Sequence, residues 1–169
     1  MTFSFEIINK KGDRIIVSLS SLFQYTKELL PNKFSEIEII EINIEREAPQ
    51  EPIQVEILSR IADELIKFSE DNPNAIFYYF CDTTQEIPFK RNSRKDNVQS
   101  YRNRLFSLLF ERFNKKATET WADQLIELYD RTTESTLYTH LLIRKKFFPI
   151  TEIFKKEINN NFQVISEQK

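Results

Sequence analysis

The chain has 169 residues, 40% hydrophobic and 30% charged, with a net charge of −2. That balance suits one globular domain with one sizeable core and excludes an intrinsically disordered chain. No run approaches the roughly 18 apolar residues of a membrane span, the first residues lack a basic stretch followed by an apolar one, and the one cysteine, Cys81, excludes an internal disulfide, so a cytoplasmic protein is expected.

Phe3, Phe5 and Ile7 alternate with polar neighbours, as do Ile15, Val17 and Leu19. Between them lies Asn9-Lys-Lys-Gly-Asp13, with a glycine where a turn needs positive φ, so a β-hairpin is expected. Ser21-Leu-Phe-Gln24 has the pattern of a capped short helix ended by Pro31. Residues 35–45 read as a strand whose apolar phase changes midway. Ile37 and Ile39 face one way, and Ile40, Ile42 and Ile44 the other. Either both sheet faces are covered, or a bulge between Ile39 and Ile40 restores a single apolar face.

Pro49 and Pro52 precede a helix marked by Ile57, Leu58, Ile61, Ala62, Leu65 and Phe68, and Asp71-Asn-Pro-Asn74 stops it. Ala75–Cys81 is apolar on both faces and is expected to be a central strand. A long polar loop follows. Tyr101, Leu105, Leu108, Leu109 and Phe113 then stripe a second helix. Residues 121–129 fit either a helix striped by Trp121, Leu125 and Leu128 or a strand. Residues 137–144 are clear strand, and we read the two runs as a hairpin. A last helix starts at Pro149, with Ile150, Ile153, Phe154 and Ile158 on one face, and residues 159–169 form a frayed polar tail. No linker divides the chain, so 1–169 is taken as a single domain. The expected class is α+β, with a mixed, mostly antiparallel sheet and helices on its faces. The step through residues 36–81 should be a right-handed parallel crossover.

Charge is unevenly spread. Residues 89–116 hold nine basic residues against Asp96 and Glu111, a net of +7, which leaves −9 on the remainder. An acidic body with one basic segment points to a local site for an anionic partner. Gly12 is the only glycine. A phosphate-binding P-loop, a dinucleotide fingerprint and a nucleophile elbow each need several, so all three are excluded.

The order of three antiparallel strands, a helix, a strand, a second helix and a closing hairpin resembles the central part of the Gcn5-related acetyltransferase fold over roughly residues 1–146. That resemblance implies a bulged strand before the first long helix. It also implies a coenzyme A pyrophosphate cradled by backbone N–H groups in an Arg/Gln-x-x-Gly-x-Gly/Ala loop. The corresponding stretch, Arg46-Glu-Ala-Pro-Gln-Glu-Pro52, has no glycine, two prolines without N–H groups and two glutamates. Where the family often supplies a tyrosine general acid, Leu109-Phe-Glu-Arg-Phe113 offers Phe110. A second resemblance rests on Asn72-Pro-Asn-Ala-Ile-Phe-Tyr-Tyr-Phe-Cys-Asp82, on Arg102-Asn-Arg-Leu-Phe-Ser-Leu-Leu-Phe-Glu-Arg-Phe113 and on Leu141-Leu-Ile-Arg-Lys145. These runs resemble an uncharacterised family of small bacterial proteins, a domain of unknown function that brings no activity with it.

Cys81 and Asp82 end a central strand, where ligands often bind in sheets of this kind. A nucleophilic Cys81 needs a base, and His140 is the one histidine. No third orienting group is evident, and a buried cysteine and histidine account for both residues. One Cys and one His fall short of a zinc ligand set. Asp82 can pair with Arg102 or Arg104 and lock the loop to the helix. Arg102 and Arg104 point about 200° apart around a helix, with Arg102 at the buried edge and Arg104 on the polar side. Lys90, Arg91, Arg94 and Lys95 of the loop can converge on phosphates. The resulting expectation is a non-catalytic binding or regulatory module without cofactor or metal. Its partner residues are Lys90, Arg91, Arg94, Lys95 and Arg104, positioned by Asp82 and Arg102, and its partner is a nucleic acid or an acidic protein. Two alternatives stand beside it: a divergent acyltransferase-fold enzyme, and a toxin–antitoxin or defence-system component.

Overall fold

The N-terminal hairpin forms where the alternation predicts it. β1 (Thr2–Ile8) pairs antiparallel with β2 (Arg14–Ser21). Gly12 takes φ +83°, and the Asn9 side-chain Oδ1 accepts from the Lys11 and Asp13 N–H groups, both at 2.9 Å. The asparagine thus satisfies the turn's own backbone donors. The computed structural model describes residues 2–22, 35–47, 53–80, 98–130 and 134–156. Ser21 ends β2, and the rest of the short helix expected up to Pro31 lies outside the described residues, as does the 159–169 tail.

β3 (Glu38–Glu47) pairs antiparallel with β2, residue for residue from Ile40 to Glu47. Its phase change therefore needs no bulge. Ile37 and Ile39 pack with Ile76, Leu141 and Ile143 on one face, while Ile40 and Ile42 join the larger core on the other. Both faces of the sheet are covered, so an unbroken strand can bury isoleucines in both directions. Of the two readings of this run the covered sheet holds, and the bulge implied by the acetyltransferase resemblance is absent from the paired stretch.

α1 (Val55–Asp71) buries Ile57, Leu58, Ile61, Ala62 and Leu65, the expected stripe. It ends at Asn72, whose backbone N–H and side-chain Nδ2 both donate to the Phe68 carbonyl, at 3.0 and 2.8 Å. Pro73 cannot continue the helix. β4 (Ala75–Phe80) then pairs parallel with β3 on one side and antiparallel with β6 on the other. Ala75, Ile76 and Phe77 are each 1% exposed or less, as a central strand requires.

α2 (Val98–Lys116) lies beside α1 on the same face of the sheet. Its buried stripe is Arg102, Phe106, Leu109 and Phe113. The expected stripe included Leu108, which is instead 39% exposed. Phe106 takes the inward place because spacings of four, three and four residues keep one face. β5 (Trp121–Asp130) and β6 (Ser135–Arg144) form a ten-residue antiparallel hairpin, so the ambiguous 121–129 run is strand. A 3₁₀ turn (Lys145–Phe147) leads to a helix described over 148–156, here α3. α3 covers the second sheet face with Ile150 and Phe154.

The strand order is β1-β2-β3-β4-β6-β5, with β3–β4 the one parallel pair among the described residues. The protein is α+β, a six-stranded mixed, mostly antiparallel sheet with helices on both faces. No helix among the described residues is long and apolar enough to cross a membrane.

Candidate functional site

The parallel pair sets the position of the site. β3 and β4 are in register only from Glu38–Ala75 to Glu41–Tyr78. Beyond that point β3 continues to Glu47 on β2, while β4 continues to Phe80 on β6. The sheet thus forks at the carboxyl ends of its two parallel strands, the place where open sheets commonly take ligands. In sequence, Lys90, Arg91, Arg94 and Lys95 fall between β4 and α2, and five further basic residues lie on α2 itself.

Three elements meet near the fork. Arg46 is near the end of β3, Ile53 lies two residues before α1, and Tyr101 and Arg104 are in the first turns of α2. Partial burial pushes the Tyr101 phenol up. A hydrogen bond from the Ile53 backbone and the positive charges of Arg46 and Arg104 pull it back. Both guanidiniums therefore act on one phenol. Arg46 is itself largely buried and pairs with Asp13 on the hairpin turn. In sequence it is in phase with Ile40, Ile42 and Ile44, which is the signal that it turns toward the helices rather than away.

Arg102 and Arg104 separate as the helical spacing demands. Arg102 is 8% exposed and belongs to the buried stripe, while Arg104 is exposed. Further along α2 the basic residues are engaged within the chain. Lys115 pairs with Glu111, and Lys116 with Asp63 of α1, both at 2.6 Å, and Arg112 donates to the Leu108 carbonyl at 3.1 Å. Cys81, Asp82, Lys90, Arg91, Arg94 and Lys95 lie outside the described residues.

His140 is 1% exposed and sits under α2. It is opposite Tyr79 of β4 on one side and Leu125 of β5 on the other. Its Nδ1 is 2.9 Å from both carboxylate oxygens of Asp123, and its Nε2 is 2.6 Å from Asn103 Oδ1. Phe106 packs against the imidazole at 4.6 Å and stacks on Tyr79 at 4.2 Å. Asp123 fixes Nδ1 as a donor. Nε2 then donates to Asn103 in the imidazolium, or accepts from a turned Asn103 amide in the neutral ring. Both nitrogens are engaged either way, so the arrangement clamps α2 to the sheet. Sequence reasoning offered His140 as a base for Cys81, preferred a buried histidine, and found no orienting group for it. Asp123 is that group, and its signal was a carboxylate in phase with Trp121 and Leu125 on a strand. Asn103 gave no such signal.

Removing the carboxylate tests the clamp. Asp123→Ala leaves a buried Nδ1–H without an acceptor and is expected to cost about 2–3 kcal/mol, whereas Asp123→Asn keeps an acceptor and should cost about 1 kcal/mol. Urea unfolding measures both. An alanine cost below about 0.5 kcal/mol, the range of an ordinary surface change, contradicts the clamp.

No protein-family model matches the chain, and neither a curated protein nor a solved structure does. The fold class and site geometry therefore stand on the chain's own residues.

Proposed function

We propose that the protein is a binding or regulatory module that takes an anionic macromolecule near the forked end of its sheet, through the basic stretch 89–116 that runs from the β4–α2 connection into α2. The observation that carries this reading is the segregation of charge, +7 over residues 89–116 against −9 elsewhere. The described geometry sharpens it. Of the basic residues on α2, Lys115 and Lys116 pair with Glu111 and Asp63, and Arg104 is exposed and, with Arg46, acts on the Tyr101 phenol. The partner residues in this reading are Lys90, Arg91, Arg94, Lys95 and Arg104. Arg102 and the His140 clamp position the helix. Nucleic acid and acidic protein share the required chemistry, and titration with labelled DNA and with polyglutamate separates them. A nucleic-acid partner gives binding to labelled DNA that weakens steeply with salt and is tighter than binding to polyglutamate at the same salt; an acidic-protein partner reverses that order.

A second reading is favoured by one observation. The chain has the element order on which the acetyltransferase resemblance rests, and its parallel pair opens after four residue pairs. An acyltransferase-fold enzyme predicts a raised melting temperature with coenzyme A, about 2.7 kcal/mol of added stability at a hundred times Kd. We expect no shift at millimolar coenzyme A, because residues 46–52 lack glycine and carry two prolines and two glutamates. A clear shift overturns the non-catalytic reading.

A further inference from the structure

β1 is one edge of the sheet, and its geometry shows which backbone groups it turns outward. In an antiparallel pair, residues alternate between those bonded to the partner strand and those facing away. The Asn9 N–H donates to the Asp13 carbonyl at 3.0 Å, so Asn9, and with it Ile7, Phe5 and Phe3, turns toward β2. Thr2, Ser4, Glu6 and Ile8 therefore present their N–H and C=O groups outward. The Ile8 carbonyl agrees, since it accepts from Arg60 of α1 at 3.3 Å. No strand pairs with this edge among the described residues.

Edge strands are ordinarily protected by lysine, proline, bulges or inward-pointing charges. β1, Thr-Phe-Ser-Phe-Glu-Ile-Ile, has none of these, and Phe3 and Ile8 are 41% and 57% exposed. β5, the opposite edge, carries Asp123, Glu127 and Asp130, the first turned inward to His140. The two edges are thus unequal, and β1 is the one suited to accept a strand.

We propose that β1 pairs antiparallel with β1 of a second copy of this chain, across a two-fold axis at Phe5. That register is self-complementary. Ser4 lies opposite Glu6, so outward donors meet outward acceptors there, and Thr2 lies opposite Ile8, whose carbonyl also carries the Arg60 contact. No like charges oppose each other, and Glu6 stays paired with Arg14 at 2.7 Å. On the helix-facing side, Phe3 meets Ile7 and Phe5 meets its own copy. A groove of about 740 Å³ runs there between β1 and the helices, lined by Phe5, Ile7 and Ile66 and by six charged side chains, Arg60 and Lys67 among them. The second copy's Phe3 and Phe5 project from the new strand on that same side, against the Phe5 and Ile7 part of that lining. The contact is isologous and closes on itself, leaving the acid-bearing β5 edges outermost.

Size-exclusion chromatography with light scattering tests the proposal. The chain is expected at twice its 20.3 kDa mass. Ser4→Pro deletes an outward N–H without touching the β1–β2 ladder, so it should give a folded monomer, while Ser4→Ala stays dimeric. Hydrogen exchange on the unaltered chain gives a second reading that needs no variant to fold. The Ser4 and Glu6 amides should be as protected as those of Phe5 and Ile7, and lose protection on dilution. A monomeric wild type, or a Ser4→Pro variant that remains dimeric, overturns self-pairing. Protected Ser4 and Glu6 amides in a monomer also overturn it, and assign the edge to a different segment.

Discussion

Arg144→Ala is expected to cost about 3 kcal/mol and to lower the melting temperature by roughly 9 °C. Arg144 is the last residue of β6, is 4% exposed, and turns toward the helices on the same face as Leu142. Its guanidinium donates to the Ser69 carbonyl near the end of α1 and to the Ala75 carbonyl at 3.2 Å where β4 begins. The ring of Trp121 lies beneath it at 4.2 Å, and Glu119 pairs with its Nε at 2.6 Å. A helix C-terminus leaves carbonyls without partners of its own, and here one side chain satisfies two segments at once. Burial pushes the Arg144 guanidinium down from its ordinary range, and the Glu119 carboxylate opposes that. Alanine removes the donors and leaves buried carbonyls unpaired, which is the source of the expected cost.

Two companion variants separate this account from simple loss of charge. Lysine carries the charge but not the planar fork, so Arg144→Lys should recover less than half of the loss. Glu119 is 55% exposed, so Glu119→Ala should cost less than about 1 kcal/mol. If Glu119→Ala matched Arg144→Ala, the ion pair rather than the carbonyl contacts would hold the end of β6. Arg144 anchors β4 at its first residue, Ala75, while the fork opens at the strand's other end, after Tyr78. Variants here should therefore change stability without changing partner affinity.

How far this could be read in advance varied with the range of the contacts. The alternation around Gly12 and the helical spacing from Ile57 to Leu65 are local, and both elements form as those patterns imply. The Ile39–Ile40 phase change was legible as a choice between a bulge and a sheet covered on both faces. Only the position of α3 resolves it, because α3 supplies the second core with Ile150 and Phe154. Residues 121–129 fit two periodicities equally, and pairing with β6 selects the strand. Leu108 was read as part of the α2 stripe, but Phe106, about 200° from it around the helix, is the residue turned inward, held by packing against Tyr79 and His140.

The site was less legible. Arg102 and Arg104 follow from helical geometry alone, and they separate as that geometry requires. The clamp draws on residues 103, 123 and 140, which lie on three elements, and no local pattern joins them. Arg46 did leave a trace, as a charged residue in phase with buried Ile40 and Ile42 on a strand, and Asp123 a weaker one, in phase with buried Trp121 but also with exposed Leu125. The fork left none, because it depends on where two strands joined by a helical crossover part.

The central claim is that the basic stretch 89–116, from the β4–α2 connection into α2, holds an anionic partner, and one measurement addresses it most directly. Fluorescence anisotropy is followed with labelled single-stranded DNA, duplex DNA and polyglutamate across a salt series. The unaltered chain is compared with an Arg91→Glu, Arg94→Glu, Arg104→Glu variant, which lowers the net charge of residues 89–116 from +7 to about +1. The account predicts binding of at least one polyanion, a linear fall of log affinity with log salt, and a loss of about a hundredfold or more in the variant. Absence of binding to all three probes at low salt, or equal affinity for the variant, contradicts it.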